Sequence, residues 1–389
     1  MNNNKQINIA IMSVADIDNY GDTLFPFISQ QEILKRIPNA NFRFFTPTNF
    51  IFEGTQFYGY TKENLLKYNP DAILVMGGEV IHKYDNPVWN NMYKNIKNPV
   101  LDGIASNTFF NWLDIKAYKA WFSTGVLRRW SDDLQITNDE INSLDYIGVR
   151  GIISKKNLEN NDLYTHNNKI DIVPDIGWIF PRYVTSYGEI LKKLSEKYSL
   201  EISEDSYVVF NTNFSAIKEE FIPHVKNVLS NFVKKTNYKV IIMPIISSYK
   251  DYDFLKNFES EDLILLPPNI ELKEKVALLC GAKFYIGSSL HSAITTLSMK
   301  KPVAFNHTRM LQKFQDLFFH SMNVVSLGYD WNDLENQINR CMNYYSDEKI
   351  SISNRLAHEK YVDFMQAMFD YKLDLLCSEI LTYNSEKNI

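Results

Sequence analysis

A chain of 389 residues with 45% hydrophobic and 22% charged residues is globular and long enough for two domains of about 100–200 residues each. Its 41 basic and 46 acidic residues give a net charge of −5 with no dense Lys/Arg block, which argues against nucleic acid as a partner. No run of about 18 apolar residues appears, and the opening MNNNKQINIAIMS lacks the charged, apolar and small-residue layout of a secretory signal, so a cytoplasmic protein with no transmembrane segment is expected.

Strand-like segments recur at 7–13, 41–47, 72–78, 99–105, 146–151 and 170–177, with helix-compatible sequence between several of them. That alternation indicates a parallel α/β lobe over 1–182. The charged amphipathic stretch within 183–202 marks a boundary, after which the pattern restarts at 207–213, 239–245, 263–268, 284–289, 302–306 and 323–328 as a second lobe over 203–330. Residues 331–389 have a helical pattern that places Phe364, Met368, Tyr371 and Leu375 on one face, expected to pack across the lobes. The fold class is therefore α/β, two Rossmann-like lobes facing a cleft in a GT-B-like arrangement, with ligands at the carboxyl ends of the strands. Cys280, Cys341 and Cys377 are too far apart for a disulfide framework or a zinc spacing, so they are expected to be reduced core thiols, and no metal site is expected.

Polar turns end several of these strands. Asn19, Gly21 and Asp22 stand before a helix, where Gly21 permits a backbone that a larger side chain resists and Asp22 either caps the helix or projects into the cleft. Gly77 and Gly78 form a close-approach turn before Glu79 and His82, and Arg150 and Asp175 place a cation and a carboxylate at two further strand ends. Arg150 either holds an anion or pairs with a neighbouring carboxylate. In KFYIGSSLHSAITTLSMKKPVAF, Ser288 to His291 offer backbone N–H groups, two hydroxyls and an imidazole at a helix start, which suits a phosphate or carboxylate. The alternative is that Ser288 or Ser289 is an N-cap and His291 a core histidine. There is no GxGxxG, no GxxxxGK[ST] and no GxSxG, so neither NAD nor ATP nor a serine nucleophile is supported, and no cofactor is expected.

Taken in order, NYGDTL (19–24), VMGGEVI (75–81), VRGIISKKNL (149–158), IVPDIGW (172–178) and IGSSLHSAITTLSMKKPVAF (286–305) resemble the polysaccharide pyruvyl transferase family. The resemblance implies a GT-B-like fold and transfer of pyruvate from phosphoenolpyruvate to two hydroxyls of a sugar, as a cyclic ketal on a cell-surface polysaccharide or its precursor. It implies that phosphoenolpyruvate and a sugar acceptor on a glycan or lipid-linked precursor are the partners, and it is compatible with peripheral association at the inner membrane face. His291 matches the family's important histidine, Gly287, Ser288 and Leu290 its flanks, and Asn19, Gly21 and Asp22 the first motif. Asp22 is the expected catalytic partner of His291, with Asp175 and Glu79 in reserve. Many members have arginine where this chain has Ser289, which removes a fixed cation from an anion site. Arg309, Lys313 or Arg150 is expected to replace it. The rival readings are a GT-B glycosyltransferase using a nucleotide sugar and a catalytically degenerate scaffold in glycan assembly.

Overall fold

INIAIM forms the first strand, β1 (Ile7–Met12), buried at every residue but Asn8, because a parallel strand covered on both faces needs apolar side chains pointing both ways. The structure, a computed structural model, describes residues 6–81, 115–126, 141–159, 170–246, 250–308, 312–318 and 324–387. Among these, β1 is joined by β2 (Ala40–Thr46), β3 (Phe50–Phe52), β4 (Thr55–Gly59), β5 (Ala72–Met76), β6 (Tyr118–Thr124), β7 (Tyr146–Val149) and β8 (Ile170–Ile172) in one sheet of order β3-β4-β2-β1-β5-β6-β7-β8. Every pairing in it is parallel except β3 with β4. Those two form a hairpin through Glu53 and Gly54, both at positive φ (45° and 80°), as a tight two-residue turn requires. The expected strand at 99–105 lies outside the described residues, as do His82 and Arg309.

The second sheet contains β9 (Tyr207–Asn211), β10 (Lys239–Ile242), β11 (Leu263–Leu265), β12 (Tyr285–Gly287), β13 (Val303–Asn306) and β14 (Val325–Gly328). Its order is β11-β10-β9-β12-β13-β14 and all its pairings are parallel. The chain divides into two compact units: one takes the described residues up to Ile17, Asp22–Ile176 and those from Ala367 on, the other Asp18–Gly21 and Gly177–Gln366.

This division corrects the boundaries read from the sequence at 182, 203 and 331. The amphipathic stretch is a helix, Tyr187–Tyr198, that is built into the second unit: Leu191 and Leu194 are buried, Leu191 packs over Gly281, and Lys197 pairs with Glu274 at 2.8 Å. Trp331 is likewise a fully buried member of the second unit's core, beside Phe210 and Leu334. The final helix, Lys349–Glu386, belongs to the second unit through Gln366 and to the first beyond it. Its buried stripe is Val362, Phe369, Leu373, Leu376 and Ile380, whereas Phe364 and Tyr371 are each 59% exposed. The expected face is therefore rotated away from the core, because two apolar stripes run along this helix and only one is covered. In the first unit, Arg36 binds Asp370 (3.3 Å) and Asp374 (2.5 Å), and Lys372 binds Asp171 (2.7 Å), at the flanks of the covered stripe. All three cysteines are free and buried, and burial pushes the Cys280 thiol up to about 12.

Each sheet has one place where successive connections leave in opposite directions: β1 beside β5 in the first unit and β9 beside β12 in the second. Loops diverge there at the carboxyl ends and leave a crevice.

His358 is 3% exposed, with Nδ1 3.1 Å from the Tyr344 hydroxyl, and burial pushes its pKa down from 6.5 to about 4. The unfolded chain takes up a proton below pH 6.5 that the folded chain refuses, so this stability is complete above pH 6.5 and is lost as pH falls toward 4. Urea unfolding from pH 7 to 4 should show a loss of roughly 3 kcal/mol in the wild type that His358→Gln lacks. Parallel curves for the two proteins would refute this.

Candidate active site

In the second unit the crevice is bounded by Asn211 and Thr212 after β9 and by Gly287 and Ser288 after β12. Gly287 has φ 151° and lies so close to β9 that any Cβ would overlap the Asn211 carbonyl oxygen. Ser288 N donates to that carbonyl (3.1 Å) and Ser288 Oγ to Thr212 Oγ1 (3.3 Å). Ser289 N donates to the buried Tyr285 hydroxyl at 2.9 Å. Ser289 Oγ accepts from Ser292 N at 3.3 Å, the N-cap of the helix Leu290–Ser298. Two of the four amides expected to hold an anion, those of Ser288 and Ser289, are thus committed to the fold. Any anion at this helix start meets the turn formed by Leu290 and His291, where the dipole field remains.

His291 is half-buried, and its ring is 5.9 Å from that of Phe180. Its other neighbour is Gly21. A Cβ placed on Gly21 would lie 2.5 Å from Cγ and 2.7 Å from Cε1 of the imidazole. Gly21 is the second residue of the helix Tyr20–Leu34 and is not among the positive-φ glycines, so the sequence reading is corrected: glycine serves here for close approach, not for backbone freedom. The turn before it is docked by Tyr20, whose amide donates to Ile245 O (3.0 Å), while Asn19 makes an isolated antiparallel bridge with Ile246. The Tyr20 hydroxyl lies 3.0 Å from Thr295 Oγ1, which itself donates to the His291 carbonyl (2.7 Å), and the Tyr20 ring stands edge-on to Phe180. Burial raises the Tyr20 pKa far above the phenolic value and keeps it a neutral partner. Tyr20, Phe180 and Tyr285 escape a reading of the sequence because aromatics are abundant in this chain; only Tyr20's place inside NYGD singles it out.

The first unit collects Asp22, Gly77, Gly78, Glu79, Arg150 and Asp175 at the carboxyl ends of its strands. Gly77 and Gly78 have φ 71° and 75°, and a Cβ on Gly78 would lie 3.4 Å from Asp22 Oδ1. Asp22 is the third residue of its helix, in the first turn rather than at the N-cap position, and it is 9% exposed. Arg150 is not an open anion anchor. It is 3% exposed, with NH2 2.6 Å from Glu79 Oε1 and NH1 3.6 Å from the fully buried Asp175 Oδ2. A Cβ on Gly125 would lie 2.7 Å from the guanidinium Cζ, so this glycine makes room for it. Ser123 Oγ, donating to Pro174 O (2.8 Å) and accepting from Ile176 N (3.1 Å), fixes the turn that carries Asp175. Lys313 lies on the helix Gln312–Phe318 with its ammonium 5.6 Å from the Phe314 ring centre. Among the described residues no group of three or more His, Cys, Asp or Glu could hold a metal ion, and no helix is long and apolar enough to cross a membrane.

Gly21→Ala should cost about 1–3 kcal/mol by overpacking against the ring. Adding His291→Ala should recover most of that loss, and denaturation of the four proteins of this cycle would give a coupling of about 0.5–3 kcal/mol; additive losses would mean that the contact carries nothing. Arg150→Met, which strands the buried Asp175 carboxylate, should lose roughly 3–5 kcal/mol in the same measurement. A near-neutral change would show that the cation is dispensable to the fold.

The sequence model of the polysaccharide pyruvyl transferase family matches residues 19–305, from the NYGD turn to the end of β13's apolar run. No curated protein matches the chain in sequence. Among solved structures, the UDP-GlcNAc 2-epimerase of Neisseria meningitidis bound to UDP-GlcNAc is similar with a TM-score of 0.60 at 13% identity, covering 97% of this chain and 100% of that one. A glycosyltransferase from Rickettsia africae has a TM-score of 0.53 at 14% identity, covering 97% and 99%. A UDP-glucosyltransferase from Polygonum tinctorium has 0.52 at 11%, covering 97% and 99%. At such identities the likeness shows the fold, which is GT-B-like.

Proposed function

From a chain that belongs to the polysaccharide pyruvyl transferase family, we propose a transferase that moves the pyruvyl group of phosphoenolpyruvate onto two hydroxyls of a sugar in a cell-surface polysaccharide or its precursor. The observation that carries this reading is the His291 imidazole seated on the Gly21 backbone, which joins the two most specific motifs of the family in one place.

The reaction adds a proton to the methylene carbon of phosphoenolpyruvate, and the central carbon becomes oxocarbenium-like. One sugar hydroxyl adds there and releases its proton. Phosphate then leaves with its bridging oxygen, the second hydroxyl adds, and its proton is released, so that a diol and phosphoenolpyruvate give a cyclic ketal and inorganic phosphate. Both additions need a base and the departing phosphate needs a positive neighbour. Histidine suits both roles because an imidazole exchanges its proton near neutral pH. Phe180 and the Gly21 backbone hold the ring, and the Leu290–His291 turn at the helix start supplies dipole attraction for the donor's anionic groups. Asp22, next in the chain after Gly21, is the carboxylate assigned to proton transfer with it. With arginine replaced by Ser289 and Arg150 already neutralised by Glu79 and Asp175, donor binding falls mainly to His291 and this turn.

Thermal unfolding with phosphoenolpyruvate tests the donor without knowledge of the acceptor. Ligand at a hundredfold over its dissociation constant adds roughly 2.7 kcal/mol, about 3 °C for a chain of this size. Wild type should shift and His291→Ala should not, while keeping its unliganded midpoint. A shift with UDP-sugars alone would move the assignment to glycosyl transfer, and no shift with either would favour a degenerate scaffold.

A further inference from the structure

Three connections leave the carboxyl end of the second sheet and are tied to one another. After β9, the Ala216 carbonyl accepts from Thr308 N (3.1 Å), beyond β13, and from the indole Nε1 of the buried Trp331 (2.9 Å), beyond β14. Thr308 Oγ1 donates to Ser215 O (3.4 Å), and His307 N donates to Gly328 O (3.1 Å). Asn306 crosses Gly328 so closely that a Cβ there would overlap its Oδ1. The connections after β9 and β14 each carry one large aromatic residue within two positions of these bonds: Phe214 is 58% exposed and Tyr329 is 56% exposed. A single exposed ring is ordinary on a protein surface. Here two rings stand on connections that are bonded directly to each other through Ala216 and Trp331, at the end of the sheet where ligands bind.

Phe214 also ties this surface to the candidate active site: two residues earlier, Thr212 Oγ1 accepts from Ser288 Oγ (3.3 Å), three residues before His291. Charge then limits what can lie on the rings. Residues 211–217 and 328–333, NTNFSAI and GYDWND, contain no lysine or arginine and contribute Asp330 and Asp333, which disfavours a nucleotide phosphate or an anionic lipid headgroup. Polar groups flank the rings. Asn213 Oδ1 accepts from Ser215 N (2.9 Å) and Ser215 Oγ (2.6 Å), which leaves its NH2 group to donate elsewhere, and Asp330 Oδ1 accepts from Asn332 N (2.9 Å), which leaves Oδ2 to accept. A pyranose matches that combination: the axial C–H groups of one face lie against an aromatic ring, while the hydroxyls on its rim stay hydrated or meet the amide and the carboxylate. We propose that Phe214 and Tyr329 form a stacking platform for a sugar ring, the acceptor subsite of the transferase. That the bound sugar is the acceptor rests on the transfer reaction proposed above; that a neutral sugar binds here does not.

Saturation-transfer NMR on the full chain with the methyl pyranosides of glucose, galactose, mannose and N-acetylglucosamine tests this with no phosphoenolpyruvate present. At least one should receive saturation, strongest at the ring C–H protons of one face, and UMP should not displace it. Phe214→Leu and Tyr329→Leu should each weaken that binding roughly threefold or more, because an apolar side chain without a ring cannot stack, whereas Phe214→Trp and Tyr329→Phe should keep it. All four variants should unfold at the wild-type midpoint, since both rings are more than half exposed. Failure of every pyranoside to receive saturation, displacement by UMP, unchanged binding in either leucine variant, or an equal loss in the aromatic replacements would overturn the proposal. So would a dimer in light scattering that either leucine variant dissociates, which would assign the rings to a second copy of the chain. A wild type that binds a pyranoside but shows no thermal shift with phosphoenolpyruvate would sink the donor assignment alone, and the reverse result would sink the platform alone.

Discussion

The site depends on the absence of one atom. His291 occupies the space where a Cβ of Gly21 would stand, so the imidazole lies directly on the Gly21 backbone. Around that contact the second unit is tied by Tyr20, which reaches Thr295 with its hydroxyl, Phe180 with its ring and Ile245 with its amide. Thr295 in turn bonds the His291 carbonyl. The ring is therefore positioned by packing and by backbone geometry, which resist small displacements because interiors are close-packed.

Electrostatics then limits what the site can do. The helix start has already given the amides of Ser288 and Ser289 to Asn211 and Tyr285, which makes the turn rigid while reducing its capacity for an anion. In the first unit Arg150 is held between Glu79 and Asp175, a buried arrangement whose cation cannot leave without stranding a carboxylate. That group is a scaffold for the β5 and β8 loops. What this helix start keeps for an anion is the dipole field at Leu290–His291.

Much of the architecture was legible from local pattern. Apolar runs such as YVVFN and KVII register as buried parallel strands because their side chains face helices on both sides. The FEGT hairpin and β6, with Lys119 as its second residue and Ser123 and Thr124 at its end, were missed because neither is a continuous apolar run. The last helix was read with the wrong face inward because it has two apolar stripes, and which one is buried depends on packing against distant residues.

The sequence by itself determined the α/β alternation, the strand-end turns and the family to which those motifs belong, and it left the cap of the helix after β12 open between Ser288 and Ser289. Periodicity, turn chemistry and capping are all contained within a few neighbouring residues. Tertiary structure alone decided why Gly21 is glycine, that Arg150 is neutralised and that two of the expected amides are occupied. Each of these depends on which atoms meet across long stretches of chain, as with Gly21 and His291, and burial sets what such a meeting is worth.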